Sequence, residues 1–195
     1  MGQGNKYCEN NGARVNPLEG NIYLVGMMGA GKSSAGKMLA SRLKKSFYDS
    51  DKVIEERTGV SISTIFHHEG EEGFRAREEA VIAELTSFNN VVLATGGGAI
   101  LREKNRRCLQ STGFVVYLKA SIKALWERTH SDKNRPLLQK GDPYKKLSSL
   151  YDFRDPIYSE VANLTVQTGE PSLQSFVRKL EHSLIDHLNN SDHVV

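Results

Sequence analysis

The sequence predicts an α/β fold in which helices cover both faces of a five-stranded parallel sheet. Two observations predict it. Short apolar runs of strand length alternate, from about residue 21 to residue 188, with longer segments whose apolar residues recur at helical spacing. A glycine-rich segment directly follows the first apolar run, where a strand must pass into a helix. This alternation is typical of parallel sheets, whose strands are joined by helical crossovers.

Each strand is predicted from a short run of apolar or β-branched residues. In chain order the predicted strands are Ile22–Val25, Phe47–Tyr48, Val91–Thr95, Phe114–Leu118 and Leu164–Gln167. Each helix is predicted from an apolar stripe, such as positions 35, 38, 39 and 43 in the first helix. The predicted helices are Lys32–Leu43, Lys52–Arg57, Ser61–His67, Glu71–Leu85, Glu103–Gln110, Ile122–Arg128, a helix through Leu147–Tyr151 that resumes near Pro156–Ala162, and Ser172–Leu188.

Residues 1–20 are polar and without hydrophobic period, so we expect a flexible N-terminal extension. Residues 21–190 predict one domain of ordinary size. The formal net charge is only +3, and the basic residues form no stripe, which argues against nucleic acid as a partner. The sequence has no signal-peptide core and no apolar stretch long enough to span a bilayer, so we expect a cytoplasmic protein with no membrane partner. We also expect a monomer.

The segment Gly26–Ser33 fits the phosphate-binding pattern G-x-x-x-x-G-K-[ST], between the first predicted strand and helix. This context predicts a P-loop NTPase type of fold and makes a chance glycine-rich turn a poor alternative. Lys32 would reach the β- and γ-phosphates of a nucleotide, and the Ser33 hydroxyl would bind Mg²⁺. The predicted nucleotide-binding residues of this segment are Gly29, Ala30, Gly31, Lys32, Ser33 and Ser34.

Asp49 and Asp51 end the second predicted strand, and their pairing suggests two roles. One carboxylate would hold Mg²⁺, while the other would face a second substrate as a base or orienting group. The alternative is that both are solvated turn or N-cap residues ahead of the next helix.

Further along the chain, three features suggest a second ligand. Arg75 lies beside Phe74 at the edge of an apolar stripe, although an exposed ion pair with Glu71 explains it equally well. Residues 96–98 are all glycine, which suggests close approach of a ligand to the backbone. Residues 129–143 are long and charged for a helix connection, and they predict either a lid carrying Arg135 or a mobile surface loop.

Together these motifs closely resemble the shikimate kinase family, in the order that the family has. The blocks that carry the resemblance are Gly26–Ser33, Phe47–Asp51, Gly70–Arg75, Leu93–Gly98, Arg135–Leu138 and Arg154–Tyr158, and the resemblance spans about residues 21–188. Two departures are a serine at position 34, where the family often has threonine, and the polar N-terminal extension.

The resemblance implies a kinase with a lid, a substrate-binding region at about residues 49–84, and ATP and Mg²⁺ as co-substrate and cofactor. It implies that Ser33 and Asp49 hold Mg²⁺, and that Asp51 orients or deprotonates the hydroxyl that is phosphorylated. The residues it assigns to shikimate are Asp51, Arg75, Gly97, Gly98 and Arg154, with Glu78 supporting Arg75. It makes Arg135 the catalytic lid arginine and places Arg128 near the adenine.

The function expected on this basis is ATP-dependent phosphorylation of the 3-hydroxyl of shikimate, in aromatic amino-acid biosynthesis. The catalytic residues would be Lys32, Asp51 and Arg135. Two alternatives stay open from the sequence. One is a kinase for another small hydroxy acid, such as gluconate, or for a nucleoside monophosphate; the other is a nucleotide-gated binding module without turnover.

Overall fold

A computed structural model describes residues 18–130 and 142–191. Its five strands pair in parallel in the order β2-β3-β1-β4-β5. The strands are β1 (Asn21–Val25), β2 (Ser46–Asp49), β3 (Val91–Ala94), β4 (Gly113–Lys119) and β5 (Leu164–Gln167). The predicted parallel sheet is confirmed, and each strand lies within one residue of its prediction at both ends.

Helices connect these strands, and one further helix follows β5. They are α1 (Lys32–Leu43), α2 (Ser50–Thr58), α3 (Ile62–Leu85), α4 (Glu103–Thr112), α5 (Ile122–Thr129), α6 (Pro143–Val161) and α7 (Leu173–Ser191), with one 3-10 turn at Ala99–Leu101. Within α3 the backbone of Gly70 is not helical, with φ of 70° and ψ of −176°. The two helices predicted on either side of residue 70 are therefore separate helical segments that meet at this glycine. None of the helices in the described ranges is both long and apolar enough to cross a membrane.

The predicted interruption between Tyr151 and Pro156 is wrong, because α6 runs unbroken from Pro143 to Val161 with Pro156 inside it. Proline removes the N–H that would bond to the carbonyl of Asp152. Both residues are exposed, so water can satisfy that carbonyl, while the buried side chains of α6 hold the helix on the sheet. These buried residues, at helical spacing, are Leu147, Arg154, Tyr158 and Val161.

The predicted lid, residues 129–143, is helical at both described ends. Thr129 is the last residue of α5, and Asp142 caps α6 by accepting hydrogen bonds from the backbone N–H groups of Tyr144 and Lys145 at 3.0 and 3.2 Å. Residues 131–141, and Arg135 with them, lie outside the described residues, as do residues 1–17 of the predicted extension.

The central strands carry the core, and their order determines where a site can form. Every residue of β1 and β3 is buried, whereas β2 and β5 at the sheet edges are partly exposed. The order β2-β3-β1 brings together the carboxyl ends of three strands, where ligands bind in sheets of this type. The backbone N–H of Thr95 donates to Leu24 O at 3.1 Å, and that of Gly96 donates to Ser50 Oγ at 2.9 Å.

Candidate active site

The loop between β1 and α1 has the backbone conformation of a phosphate cradle. Gly26, Gly29 and Gly31 have φ angles of 142°, 80° and 91°, which side-chain-bearing residues rarely adopt. At Gly29 a Cβ would also lie 2.6 Å from Thr129 Cγ2. Lys32 begins α1, and its buried ammonium group donates to the carbonyl oxygens of Gly26 and Met27 at 2.8 and 2.9 Å. The N-terminus of α1 and this ammonium therefore make a positive site.

A cavity of about 290 Å³ opens over this loop. It is lined by Met28, Gly29, Gly31, Lys32, Ser33, Ser34, Asp49, Asp51, Thr95 and Gly97. Of the predicted nucleotide-binding residues in the loop, Ala30 is not in this lining, since its side chain is buried. Arg128 is also outside the lining, but its Nη1 donates to the carbonyl oxygen of Gly29 at 3.1 Å, beside the cradle.

Ser33 and Asp49 join the phosphate loop to β2. The Ser33 hydroxyl donates to Asp49 Oδ2 at 2.5 Å, and both residues line the cavity. The other carboxylate oxygen, Oδ1, accepts from the backbone N–H groups of Asp51 and Lys52 at 3.1 and 3.3 Å and caps α2. Asp49 is thus an N-cap residue, as the alternative reading proposed, and still presents a second oxygen to the cavity.

Asp51 lies in the first turn of α2, and its surroundings favour the protonated form of its carboxyl group. Burial raises its pKa to about 7, with contributions from the nearby carboxylates of Glu78 and Asp49 and opposing ones from Lys32 and Arg75. Its Oδ1 is buried and has no hydrogen-bond partner among the described residues. A carboxyl group of this kind suits proton transfer near neutral pH.

A second cavity, of about 580 Å³, lies between α2, α3, α6 and the glycines after β3. It is lined by Met28, Ser33, Asp49, Asp51, Lys52, Glu55, Ser61, Ile62, Ser63, Phe66, Phe74, Arg75, Glu78, Gly96, Gly97, Gly98 and Arg154. The two cavities share Met28, Ser33, Asp49, Asp51 and Gly97. They are therefore neighbouring compartments of one site.

Arg75 is built into the wall of the larger cavity. Its side chain is 6% exposed, and it pairs with Glu78 at 2.6 Å and with Glu71 at 3.1 Å. The guanidinium lies over the Phe74 ring at 5.2 Å and packs so closely on Gly98 that a Cβ there would lie 2.5 Å from its Cζ. The alternative interpretation, an exposed ion pair with Glu71, therefore describes Arg75 only in part. The ion pair is present, but the arginine is buried and the plane of its guanidinium is fixed.

Glu78 is the support of Arg75. It is fully buried, and its Oε2 accepts from Arg75 Nη1, while Oε1 has no partner among the described residues. Burial raises the pKa of Glu78, and the adjacent Arg75 opposes that rise. Breaking this buried pair would leave an uncompensated charge in the wall, so Glu78 and Arg75 act as a unit.

Arg154 reaches the same cavity from α6. It is 2% exposed, its Nη1 donates to the carbonyl oxygen of Gly97 at 3.1 Å, and its buried Nε has no partner among the described residues. A buried guanidinium N–H without an acceptor is costly and indicates a place for an anionic ligand. Arg75 and Arg154 thus both pack on the glycine segment 96–98, the first against Gly98 and the second on Gly97.

Comparisons with known proteins agree with this geometry. The family model described as "Shikimate kinase" matches residues 28–185. A shikimate kinase of Thiobacillus denitrificans is 56% identical over 160 residues, covering 82% of this chain and 87% of that protein. One of Nitrosospira multiformis is 53% identical over 165 residues, covering 85% of each.

Among solved structures, a shikimate kinase from Acinetobacter baumannii in complex with shikimate superposes with a TM-score of 0.84 at 46% identity. The superposition covers 92% of this chain and 97% of that one. The chain belongs to the shikimate kinase family. The predicted fold class and the resemblance stated from the sequence are thereby confirmed.

Most site residues predicted for a shikimate kinase lie together in the structure. Residues from the predicted sets line both cavities. Those in the cavity over the phosphate loop are Lys32, Ser33, Ser34, Asp49 and Asp51, and those in the larger cavity include Arg75, Gly97, Gly98 and Arg154. Their individual roles stay predictions.

Sequence reasoning missed several residues of the shikimate kinase site. Ser50 fixes Gly96 through its hydroxyl, Tyr158 contacts Gly97, and Ile62 and Phe66 line the larger cavity. The position of Ser50 between two aspartates was a usable signal, whereas the contact of Tyr158 depends on how α6 docks and has no local signature.

Proposed function

We propose that this chain transfers the terminal phosphoryl group of ATP to the 3-hydroxyl of shikimate, giving shikimate 3-phosphate and ADP. One observation carries the proposal: the cavity over the phosphate loop and the larger, arginine-walled cavity adjoin each other and share Ser33, Asp49, Asp51 and Gly97 in their linings. Direct transfer between two bound molecules needs this adjacency, and positioning with charge neutralisation supplies most of the catalysis.

On the nucleotide side, we assign the phosphates to the loop and Lys32. The ammonium of Lys32, which donates to two carbonyl oxygens of the loop, would neutralise charge on the β- and γ-phosphates. Arg128 would lie near the adenine, since it already contacts the loop at Gly29. Arg135 would bring a further positive charge with the lid; this assignment concerns a residue outside the described ranges.

The Ser33 and Asp49 oxygens fit Mg²⁺. Magnesium prefers hard oxygen ligands and is held by one or two protein groups together with phosphate oxygens and water. The two side chains meet at 2.5 Å in the wall of the phosphate cavity and offer a hydroxyl and a carboxylate oxygen. Within the described ranges no group of three or more His, Cys, Asp or Glu side chains could hold a metal ion. Bound there, Mg²⁺ would neutralise phosphate charge.

On the acceptor side, we assign the shikimate carboxylate to Arg75 and Arg154. Both guanidinium groups are buried, line the larger cavity and are held by hydrogen bonds, and a planar fork suits a carboxylate. The backbone N–H groups of Gly97 and Gly98 would donate to ring hydroxyls. Asp51, on the boundary between the cavities, would orient the reacting hydroxyl and accept its proton.

The proposal extends to the state of the protein. A monomer stays the oligomeric state expected from the sequence. A cytoplasmic location stays a prediction from the sequence.

A substrate panel tests the reaction. ADP release, measured by a coupled assay with shikimate, gluconate and a nucleoside monophosphate, should be seen with shikimate alone. Turnover of gluconate or a nucleotide without turnover of shikimate would instead support another kinase, and binding of ATP and shikimate without ADP release would support a binding module.

The variant Asp51→Asn tests the assignment of the base. It should bind ATP as the wild type does and lose roughly 10²- to 10⁴-fold in kcat, the usual contribution of a positioned acid or base. Calorimetric titration with a non-hydrolysable ATP analogue supplies the binding control. Near-normal turnover of this variant would remove Asp51 from its role while leaving the reaction itself untouched.

A further inference from the structure

Tyr158 is a buried residue of α6 that the assignments above do not use. Its side chain is fully buried, and its hydroxyl donates a short hydrogen bond to the carbonyl oxygen of Gly97. The same oxygen accepts from Arg154 Nη1 at 3.1 Å. The Tyr158 hydroxyl also lies 3.8 Å from the sulfur of Met27, in the phosphate loop. One side chain thus contacts both the glycine segment and the phosphate loop.

The ring of Tyr158 is held from behind by β4. It stacks on Tyr117 with ring centroids 4.9 Å apart and an interplanar angle of 24°. The Tyr117 hydroxyl donates to Asp155 Oδ1 at 2.7 Å, and Lys119 Nζ donates to Asp155 Oδ2 at 2.8 Å. These contacts fasten the turn of α6 that carries Arg154 and Tyr158 to the sheet, so the hydroxyl of Tyr158 is presented to Gly97 in a fixed place.

The peptide between Gly97 and Gly98 is the part of the site that most needs such fixing. Three successive glycines have little intrinsic conformational preference, so their peptide planes are set by outside contacts. The described chain contains no cis peptide bond, and in a planar trans peptide the carbonyl and the N–H point in opposite directions. Because Gly97 O is directed at Tyr158 and Arg154 on α6, the N–H of Gly98 is directed away from α6.

We propose that Tyr158 is a positioning residue: by holding the carbonyl of Gly97 it sets the plane of the Gly97–Gly98 peptide, and through it the donor offered to a ring hydroxyl of shikimate. The inference rests on the proposed function, which gives these glycines their role. It goes beyond that function because it assigns part of the recognition of the acceptor to a residue that does not line either cavity.

The variant Tyr158→Phe removes the hydroxyl and keeps the ring and its stacking. We expect the KM for shikimate to rise about tenfold, the effect of losing one buried hydrogen bond, while kcat changes less than about threefold and the KM for ATP stays the same. A split of this kind separates positioning from a general loss of structure, which would lower the active fraction and leave both KM values unchanged.

The matched control is Tyr23→Phe. Tyr23, which lies in β1, is also a fully buried tyrosine. Its hydroxyl, however, bonds to Thr112 at 2.9 Å, at the end of β1 that is far from the phosphate loop. In thermal unfolding, Tyr23→Phe should lose about as much stability as Tyr158→Phe. Its KM values for shikimate and for ATP should equal those of the wild type. If Tyr158→Phe does not fold, Tyr117→Phe serves instead, since it removes one of the two hydrogen bonds to Asp155 but keeps the stack. The KM for shikimate should then rise about two- to threefold.

Analogues of shikimate without the 4- or the 5-hydroxyl give the decisive comparison. If the lost hydroxyl of Tyr158 acts through the Gly98 donor, the penalty of Tyr158→Phe should vanish for at least one of these analogues. An equal penalty for shikimate and both analogues, or a wild-type KM for shikimate, overturns the inference. Failure of the wild-type protein to phosphorylate shikimate would overturn the proposed function instead, so the two failures are distinguishable.

Discussion

The carboxyl groups of Asp51 and Glu78 meet beside the backbone of Gly96. Asp51 Oδ1 and Glu78 Oε1 each lie 2.6 Å from the position that a Cβ on Gly96 would occupy, and neither has a hydrogen-bond partner in the described parts of the chain. Burial raises the pKa of both groups, the nearby Glu78 carboxylate adds to the rise for Asp51, and Arg75 opposes the rise for each of them. The space left by glycine is what allows both carboxyl groups to reach the cavity.

Replacing Gly96 by alanine should separate the two carboxyl groups. The φ angle of Gly96 is not among the positive ones, so alanine suits the backbone and the clash is purely one of packing. Because a displacement of about 1 Å in a catalytic group costs about 10²-fold, we expect kcat/KM for shikimate to fall by at least that factor. Steady-state assays give the value.

The control for this variant is Gly59→Ala, at the exposed C-cap of α2. The φ angle of Gly59 is 70°, and nothing lies within 4 Å of an added Cβ. It should cost about 1 kcal/mol of stability through backbone strain and leave kcat/KM unchanged. Activity of Gly96→Ala within twofold of the wild type would mean that the two carboxyl groups tolerate displacement.

The raised pKa of Asp51 predicts a pH-dependent stability penalty. The folded-state pKa of about 7 lies above the value of about 4 in an unfolded chain, so the folded protein keeps a proton that the unfolded chain releases. The penalty is absent below pH 4, grows as the pH rises, and is complete above pH 7. Asp51→Asn should therefore match the wild type at pH 4 and exceed it by roughly 2–4 kcal/mol at pH 8.

Denaturant unfolding of both proteins without Mg²⁺, from pH 4 to pH 8, measures this difference. A constant difference over the whole range would contradict a raised pKa for Asp51. If Asp51→Asn is more stable than the wild type and also loses turnover, then the carboxylate of Asp51 supports activity but lowers the free energy of unfolding.

Replacing Arg154 by alanine should weaken the binding of shikimate specifically. The change removes a buried guanidinium whose Nε has no partner in the described residues, and leaves Gly97 O with Tyr158. We expect the KM for shikimate to rise roughly 10²-fold and the KM for ATP to change less than twofold. Arg154→Lys should recover little, because lysine cannot supply the planar fork.

The control for Arg154→Ala is Arg57→Ala. Arg57 makes a comparable two-bond pair with Glu84, at 2.6 and 2.7 Å, but both side chains are largely exposed. Exposed pairs contribute about 0–1 kcal/mol, so this variant should keep both KM values. An unchanged KM for shikimate in Arg154→Ala would refute the carboxylate clamp.

The sheet and the phosphate loop were predictable because local patterns determine them. The runs of β1 and β3 are buried on both faces, so they are apolar throughout, and the glycines of residues 26–31 are required by positive φ angles. The unbroken course of α6 was not predictable from the sequence, because Pro156 is a strong local signal for a break. Tertiary packing of Arg154 and Tyr158 outweighs that signal.

The environment of the site residues was only partly predictable. The spacing of Glu71 and Arg75 is the same for an exposed pair and for a buried one, and only the approach of Gly98, from the segment after β3, decides between them. The contact of Asp51 with Glu78 across Gly96 joins three segments that are far apart in sequence. The sequence identifies the ionisable side chains, whereas the packing of α2, α3 and α6 brings them to one cavity.

The two roles of Asp49, capping and metal binding, can be separated by two substitutions. Asn keeps an oxygen to cap α2, as Oδ1 does for Asp51 and Lys52, but removes the charge. Asp49→Asn should unfold within about 0.5 kcal/mol of the wild type and need at least about tenfold more Mg²⁺ for half-maximal activity. Asp49→Ala loses the cap as well and should unfold about 1 kcal/mol more easily. Denaturant unfolding and Mg²⁺ titration of activity measure both effects, and an unchanged Mg²⁺ requirement in Asp49→Asn would leave Asp49 as a capping residue alone.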